Sequence, residues 1–344
     1  KSFSAFESLV KIKRQVAEIR SSELKISKYD SVIQEWDYDF STKEFDLIFS
    51  NIGPFYKDFY QKVTKEQEKR KILPIKPISE EKIKGLFEAC IRALNLDSSP
   101  SNSCQIANSE MNIRNGLKSL MICCGHKLYK KYLPESWRRQ PVGNYSGKAM
   151  YDAQGLLFGN YISASKQFID FVQPYIKKGF SLRGKASGYE NLLSMFNQVE
   201  PSAIMSKSDQ LTITGHVMLR YALEKEVIEG DLEVKDINDA WNEGMKYYFD
   251  LELHDSSEGF MQDNLWVSGN FGSISFRVVS DIIASQIFDF LNKNNEALFC
   301  ISKGDFEPII ALLKEKIYQH GAKLSSKELL IGMASQGLDV EYYK

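Results

Sequence analysis

The spacing of apolar residues is what most restricts the fold of this chain. Phe306, Ile309, Ile310, Leu313 and Ile317 recur at steps of three and four, as do Leu219, Leu223, Val227 and Ile228, and again Ile283, Ile287, Phe290 and Leu291. That period gathers each set on one face of an α-helix, where burial against a neighbour stabilises it. Step-two alternation is rare, and residues 208–214 (S-D-Q-L-T-I-T) are the best strand candidate. The expectation is an all-α fold with at most a small β-sheet. Asp231, Asp305 and Ser325 read as helix caps or turn residues. Residues 61–72, rich in both lysine and glutamate, read as a solvated helix face. Residues 97–116 lack periodicity and read as a long loop. The Tyr247-Tyr248-Phe249 cluster reads as core, and Gly143 to Lys148 as a turn.

Charge and cysteine content remove several function classes. Forty-four basic residues face 45 acidic ones, a net charge of −1. Nucleic-acid binding rests largely on phosphate neutralisation, so a general nucleic-acid binder is disfavoured. The most apolar stretches are short and interrupted, well below the roughly 20 residues that a membrane-spanning helix needs. Five cysteines, an odd and sparse set, argue against a disulfide scaffold and for a reduced, cytoplasmic setting. The 344 residues allow two average domains or one large one.

Several longer runs resemble the M32 family of zinc metallocarboxypeptidases: H-V-M-L-R-Y-A-L-E-K-E-V-I-E-G-D-L (216–232), D-A-W-N-E-G-M (239–245), G-F-M-Q-D-N-L-W (259–266), K-G-D-F-E-P-I-I (303–310) and K-E-K-I-Y-Q-H-G (314–321). Y-D-S-V-I-Q-E-W-D-Y (29–38) is similar to another stretch of the same fold. The resemblance implies a helical clamshell with a central cleft, formed by a single domain over 1–344 that lacks the family's N-terminal portion. It also implies zinc held by H-E-x-x-H on one helix face, with the glutamate activating the metal-bound water.

The motif positions themselves are changed. In I-C-C-G-H-K-L-Y (122–129), Gly125, His126, Leu128 and Tyr129 match the family run. Ile122 stands at the first ligand and Cys123 at the general base. An isoleucine cannot ligate, and a thiol is a poor substitute for a carboxylate base. The third ligand, the glutamate of H-E-S, corresponds to Asp152, with Tyr151 at the histidine before it. Among the cleft candidates, Met205 replaces an arginine and Asp209 is kept. Arg114 stands alone from its motif, while Gln262, Asp263 and Trp266 persist around Leu265. His216 and Arg220, one helical turn apart, belong to the same region and read first as a hydrogen-bonded structural pair. His254 and His320 have no constellation around them.

The expectation is a catalytically inactive homologue, a pseudoenzyme that binds a protein or peptide partner, with a homodimer as the family precedent. It would act in the cytoplasm, or in a host cell if it is a delivered bacterial effector. No cofactor is expected. Two alternatives remain: chemistry rebuilt on Cys123, His126 and Asp152, as a metal site or a Cys–His nucleophile pair, and weak residual zinc carboxypeptidase activity.

Overall fold

A computed structural model describes residues 2–75, 80–97, 113–179, 184–253, 258–262, 264–293 and 295–344. Among these residues the chain is helical and contains no strand. The helices are α1 (Ser2–Leu24), α2 (Lys28–Ile33), α3 (Thr42–Glu68), α4 (Glu80–Ala93), α5 (Ile113–Lys131), α6 (Lys148–Leu156), α7 (Lys166–Gly179) and α8 (Tyr189–Phe196). They continue with α9 (Gln210–Glu229), α10 (Ile237–Phe249), α11 (Asn264–Val267), α12 (Phe276–Lys293), α13 (Asn295–Ile301), α14 (Glu307–Lys316) and α15 (Ser326–Ala334).

The periodic residues lie where their spacing puts them. All five of the Phe306–Ile317 set are buried, as are Leu219, Leu223, Val227 and Ile228; in α12, Ile283, Ile287 and Leu291 are buried and Phe290 is partly exposed. The strand expected over 208–214 is instead the start of α9. Asp209 caps this helix, accepting from the backbone N–H of Leu211 at 2.8 Å and of Thr212 at 3.0 Å. A carboxylate satisfying these otherwise orphaned donors outweighs the β preference of Thr212, Ile213 and Thr214. Gly230 ends α9 at φ +103°, a left-handed conformation that glycine adopts without a Cβ penalty. Ser325 and Glu328 form a capping box at α15. Of the expected loop, residues 113–116 belong to α5. In the triplet read as core, Phe249 is buried while Tyr247 is exposed. No helix among the described residues is long and apolar enough to cross a membrane.

The chain divides into two compact units, with the boundary falling inside α12. One comprises residues 1–69, 199–279 and 344. Trp241, Trp266, Tyr29 and Phe45 are buried in it, and the Trp36 indole donates to the Phe271 carbonyl at 2.8 Å. Arg14, from α1, donates to the carbonyls of Val227 and Leu232 at 2.6 and 2.8 Å, placing a cation at the C-terminal end of α9 where unsatisfied carbonyls favour it.

The other unit comprises residues 70–198 and 280–343. Its centre is α5, packed against α6 and against the wide π-type turn Leu157–Ile162 that follows it. Such turns interrupt regular helices at places where side chains need re-aiming. Here the turn directs Asn160 to donate to both carboxylate oxygens of buried Asp281, at 3.0 and 3.2 Å.

Candidate functional site

Three of the motif positions, Ile122, His126 and Tyr151, meet where α5 packs against α6 and the turn that follows it. The two helices approach closely because glycines lie at the crossing. A Cβ on Gly125 would fall 2.3 Å from the Gln154 carbonyl oxygen, one on Gly155 would fall 2.4 Å from His126 Nε2, and one on Gly159 would fall 2.2 Å from Ile122 Cγ1. Ile122 and His126, four residues apart on α5, therefore seat against Gly159 and Gly155, four residues apart on the antiparallel partner. The two side chains that H-E-x-x-H would direct at a metal are here knobs in a helix–helix interface.

The ring of His126 is covered as well. It stacks on Tyr151 with centroids 4.4 Å apart and planes 8° apart. Tyr145 stacks on Tyr151 at 4.3 Å. Two rings this close to one ring must occupy its opposite faces, so Tyr151 is the middle of a three-ring column. Lys130 Nζ lies 5.2 Å from the Tyr151 centroid, a distance at which an ammonium is attracted to the ring. Asp152 faces its own helix: Lys148 Nζ, one turn earlier, donates to its Oδ2 at 2.7 Å.

The cysteines differ from expectation. Cys123 is disulfide-bonded, so its sulfur is neither a free thiol nor a metal-ready thiolate, contrary to the expectation of a chain without disulfides. Cys90, Cys124 and Cys300 are free. Burial pushes the Cys124 thiol up to about 12, which removes it as a nucleophile at neutral pH.

The remaining candidates are occupied by structural tasks. Arg114, in the same unit as α5, is buried and donates to the Gln198 carbonyl at 2.5 Å. The others belong to the first unit. Asp209 caps α9 and also accepts from Thr212 Oγ1 at 2.6 Å and the Glu200 N–H at 2.9 Å. Gln262 ties three backbone groups, accepting from the Met205 N–H at 3.0 Å and donating to the carbonyls of Ala203 and Glu258 at 3.1 and 2.9 Å. His216 bonds the Ser202 carbonyl through Nε2 at 2.8 Å, and its Nδ1 lies 3.1 Å from Arg220. Arginine only donates, so Nδ1 is the acceptor and Nε2 carries the proton. Burial and the Arg220 charge lower the His216 pKa to about 3. The Arg220 guanidinium lies 4.5 Å from the Trp241 ring centroid. The expected His216–Arg220 hydrogen bond is present. Asp263, His254 and residues 104–106, the nearest match in position to a further family motif, lie outside the described residues.

Sequence reasoning missed Glu224. It is 1% exposed and accepts from the Trp266 indole, from the Tyr29 hydroxyl at 2.9 Å and from the Gly272 N–H at 2.7 Å. A lone acid on the apolar face of α9, one turn after Arg220, was its available signal. Lys148 was signalled by its i,i+4 spacing from Asp152, and Gly155 and Gly159 by the same spacing opposite Ile122 and His126.

Comparison with known proteins fits this helical frame. The family model described as Carboxypeptidase Taq (M32) metallopeptidase matches residues 105–344. The chain belongs to this family. It is 27% identical over 220 residues to "Thermostable carboxypeptidase 1" of Pyrococcus furiosus, a match taking in 64% of this chain and 44% of that enzyme. It is 24% identical over 220 residues to "Carboxypeptidase 1" of Bacillus subtilis, again covering 64% of this chain and 44% of the relative. The chain thus spans under half the length of these curated relatives. Among solved structures, "Trypanosoma Cruzi Metallocarboxypeptidase 1" superposes with a TM-score of 0.93 at 24% identity, covering 99% of this chain and 76% of that one. The M32 carboxypeptidase of Deinococcus radiodurans R1 superposes with a TM-score of 0.87 at 20% identity.

M32 membership implies a zinc ion, and the residues at the motif positions do not fit one. A catalytic zinc takes three protein donors and an open position for water. Ile122 offers no donor. Cys123 Sγ is in a disulfide. His126 Nε2 faces the Gly155 backbone, and the Asp152 carboxylate carries a lysine ammonium where a second cation would have to sit. Among the described residues, no three His, Cys, Asp or Glu side chains group in a metal-binding arrangement.

Proposed function

We propose that this M32 member is non-catalytic, a pseudoenzyme whose helical scaffold binds a protein or peptide partner. The observation that carries the reading is the packing of Ile122 and His126 against Gly159 and Gly155. It spends the ligand face of α5 on helix packing, with both side chains set against glycine backbone. The Lys148–Asp152 pair supports it from the other helix. Rebuilt chemistry on Cys123, His126 and Asp152 has no comparable support, because the disulfide, the aromatic column and the ion pair each engage one of its three members. The cleft residues point the same way: Arg114, Asp209 and Gln262 spend their polar atoms on their own backbone, which suits a braced scaffold better than a substrate subsite.

Elemental analysis of the purified protein tests this directly, together with release of C-terminal residues from a peptide panel supplemented with zinc. The expected result is substoichiometric zinc and no release. Stoichiometric zinc accompanied by release that Ile122→Ala leaves intact and His126→Ala abolishes would overturn the reading.

A further inference from the structure

We propose that the unit containing α5 carries a cationic docking face for an acidic polypeptide segment. The inference names the chemistry of the partner and rests on the binding role above for its biological use, while the surface itself is independent of the metal question. The stretch 127–148 holds six basic residues and a single acid, Glu135, in a chain whose overall charge is nearly balanced. Arg138 pairs with that glutamate at 3.1 Å.

Other cations converge on the face from far along the chain. Lys131, at the end of α5, and Lys314, on α14, both place Nζ over the Tyr132 ring, at 5.2 and 5.3 Å from its centroid. The two ammonium groups are therefore no further apart than the sum of those distances, about one Debye length at physiological salt. Lys323 lies over Trp137 at 6.0 Å. The pieces form one surface: a Cβ on Gly321 would fall 2.5 Å from the Val142 carbonyl, Ser146 Oγ donates to the Leu324 carbonyl at 2.7 Å, and Tyr132 stacks on Tyr318.

Among the described residues, no ion pair with a carboxylate joins Lys131, Lys314, Lys323 or Arg139. Like charges gathered without counter-charges cost stability, and a partner carboxylate is what offsets that cost. The chemistry favours carboxylates on a polypeptide over bases of a nucleic acid, because Tyr132 and Trp137 are partly buried and each already has an ammonium group over its ring, where a base would compete to stack. A membrane surface is disfavoured because, among the described residues of this unit, the exposed large apolar side chains Tyr175, Phe299 and Ile331 all lie outside the cation-bearing stretches 127–148 and 314–323.

The test uses the full chain and fluorescein-labelled decaglutamate, read by anisotropy, with a glycine-serine peptide, a single-stranded oligonucleotide and phosphatidylserine vesicles as competitors. Saturable binding of decaglutamate is expected, weakened about tenfold in R139E/K323E and less in R139Q/K323Q, and lost on raising salt from about 0.05 to about 0.5 M. Both residues are exposed, and a thermal melt of each variant verifies folding. No binding, binding that both variants leave unchanged, or tighter competition by oligonucleotide or vesicles overturns the proposal. A zinc-free, inactive protein that fails to bind decaglutamate would sink the docking face alone; a zinc-loaded, active protein that binds it would sink the non-catalytic reading alone.

Discussion

Replacing Gly159 by alanine tests the interlock between α5 and the turn after α6. The new methyl would fall 2.2 Å from Ile122 Cγ1 and 3.1 Å from both Ile122 Cδ1 and the Lys118 carbonyl oxygen. Non-bonded carbons settle at roughly 3.5–4 Å, so Ile122 must retreat by well over an ångström. Overpacking of this kind costs about 1–3 kcal/mol, against a helix-propensity gain of up to about 1 kcal/mol for alanine over glycine. The net expectation is a loss of ~1–2 kcal/mol. Ile122→Ala alone should also destabilise, by somewhat less than the ~2–5 kcal/mol of a fully buried site, since Ile122 is partly exposed. In Ile122→Ala/Gly159→Ala the two changes relieve each other, with a favourable coupling of about 1–3 kcal/mol. Urea denaturation by far-UV circular dichroism gives the midpoints, and hydrogen exchange at α5 amides gives the local readout that a two-unit protein requires. A Gly159→Ala protein as stable as the parent, together with strict additivity in the double variant, would refute the interlock.

Lowering the pH from 7 to 5 should destabilise the first unit by about 2 kcal/mol through His216. Its folded pKa near 3 lies below the unfolded value near 6.5, so only the unfolded state gains a proton as pH falls through 6.5. The contribution is complete above pH 6.5 and is lost progressively toward pH 3; His216→Gln should flatten the slope of denaturation free energy between pH 6.5 and 5. Glu224→Gln puts an amide where three donors now converge on a carboxylate and should cost roughly 2 kcal/mol by urea melt. A cost near zero would mean that the Trp266–Glu224–Tyr29 network is dispensable. Lys148→Ala should shift stability by less than about 1 kcal/mol, because the pair is local and partly solvated, and should leave zinc content by elemental analysis unchanged.

The fold was legible where periodicity ran long. The apolar sets of α9, α12 and α14 marked their buried faces because a 3.6-residue repeat leaves few other ways to bury them. Residues 208–214 misled because three β-branched residues carry a local preference that one capping carboxylate overrides. The motif positions were legible as substitutions, since Ile122 and Tyr151 are chemically unable to do what the family pattern asks. The packing that surrounds the motif positions was not legible. The contact of His126 with Gly155 depends on two helices meeting at a particular crossing, and the Cys123 disulfide depends on a pairing that no spacing announces.

The filled helix crossing also bears on reversal. Each step back toward a metal centre meets a separate obstacle: a histidine at 122 must fit a space shaped by isoleucine against bare backbone, and a carboxylate at 152 must be released from its lysine. None of these steps brings metal affinity until three donors converge, so every single reversal loses packing and gains nothing in return. On the non-catalytic reading proposed above, selection acting one substitution at a time would find the return path uphill at this crossing. On that reading the crossing works as a ratchet, and its teeth are two glycines four residues apart.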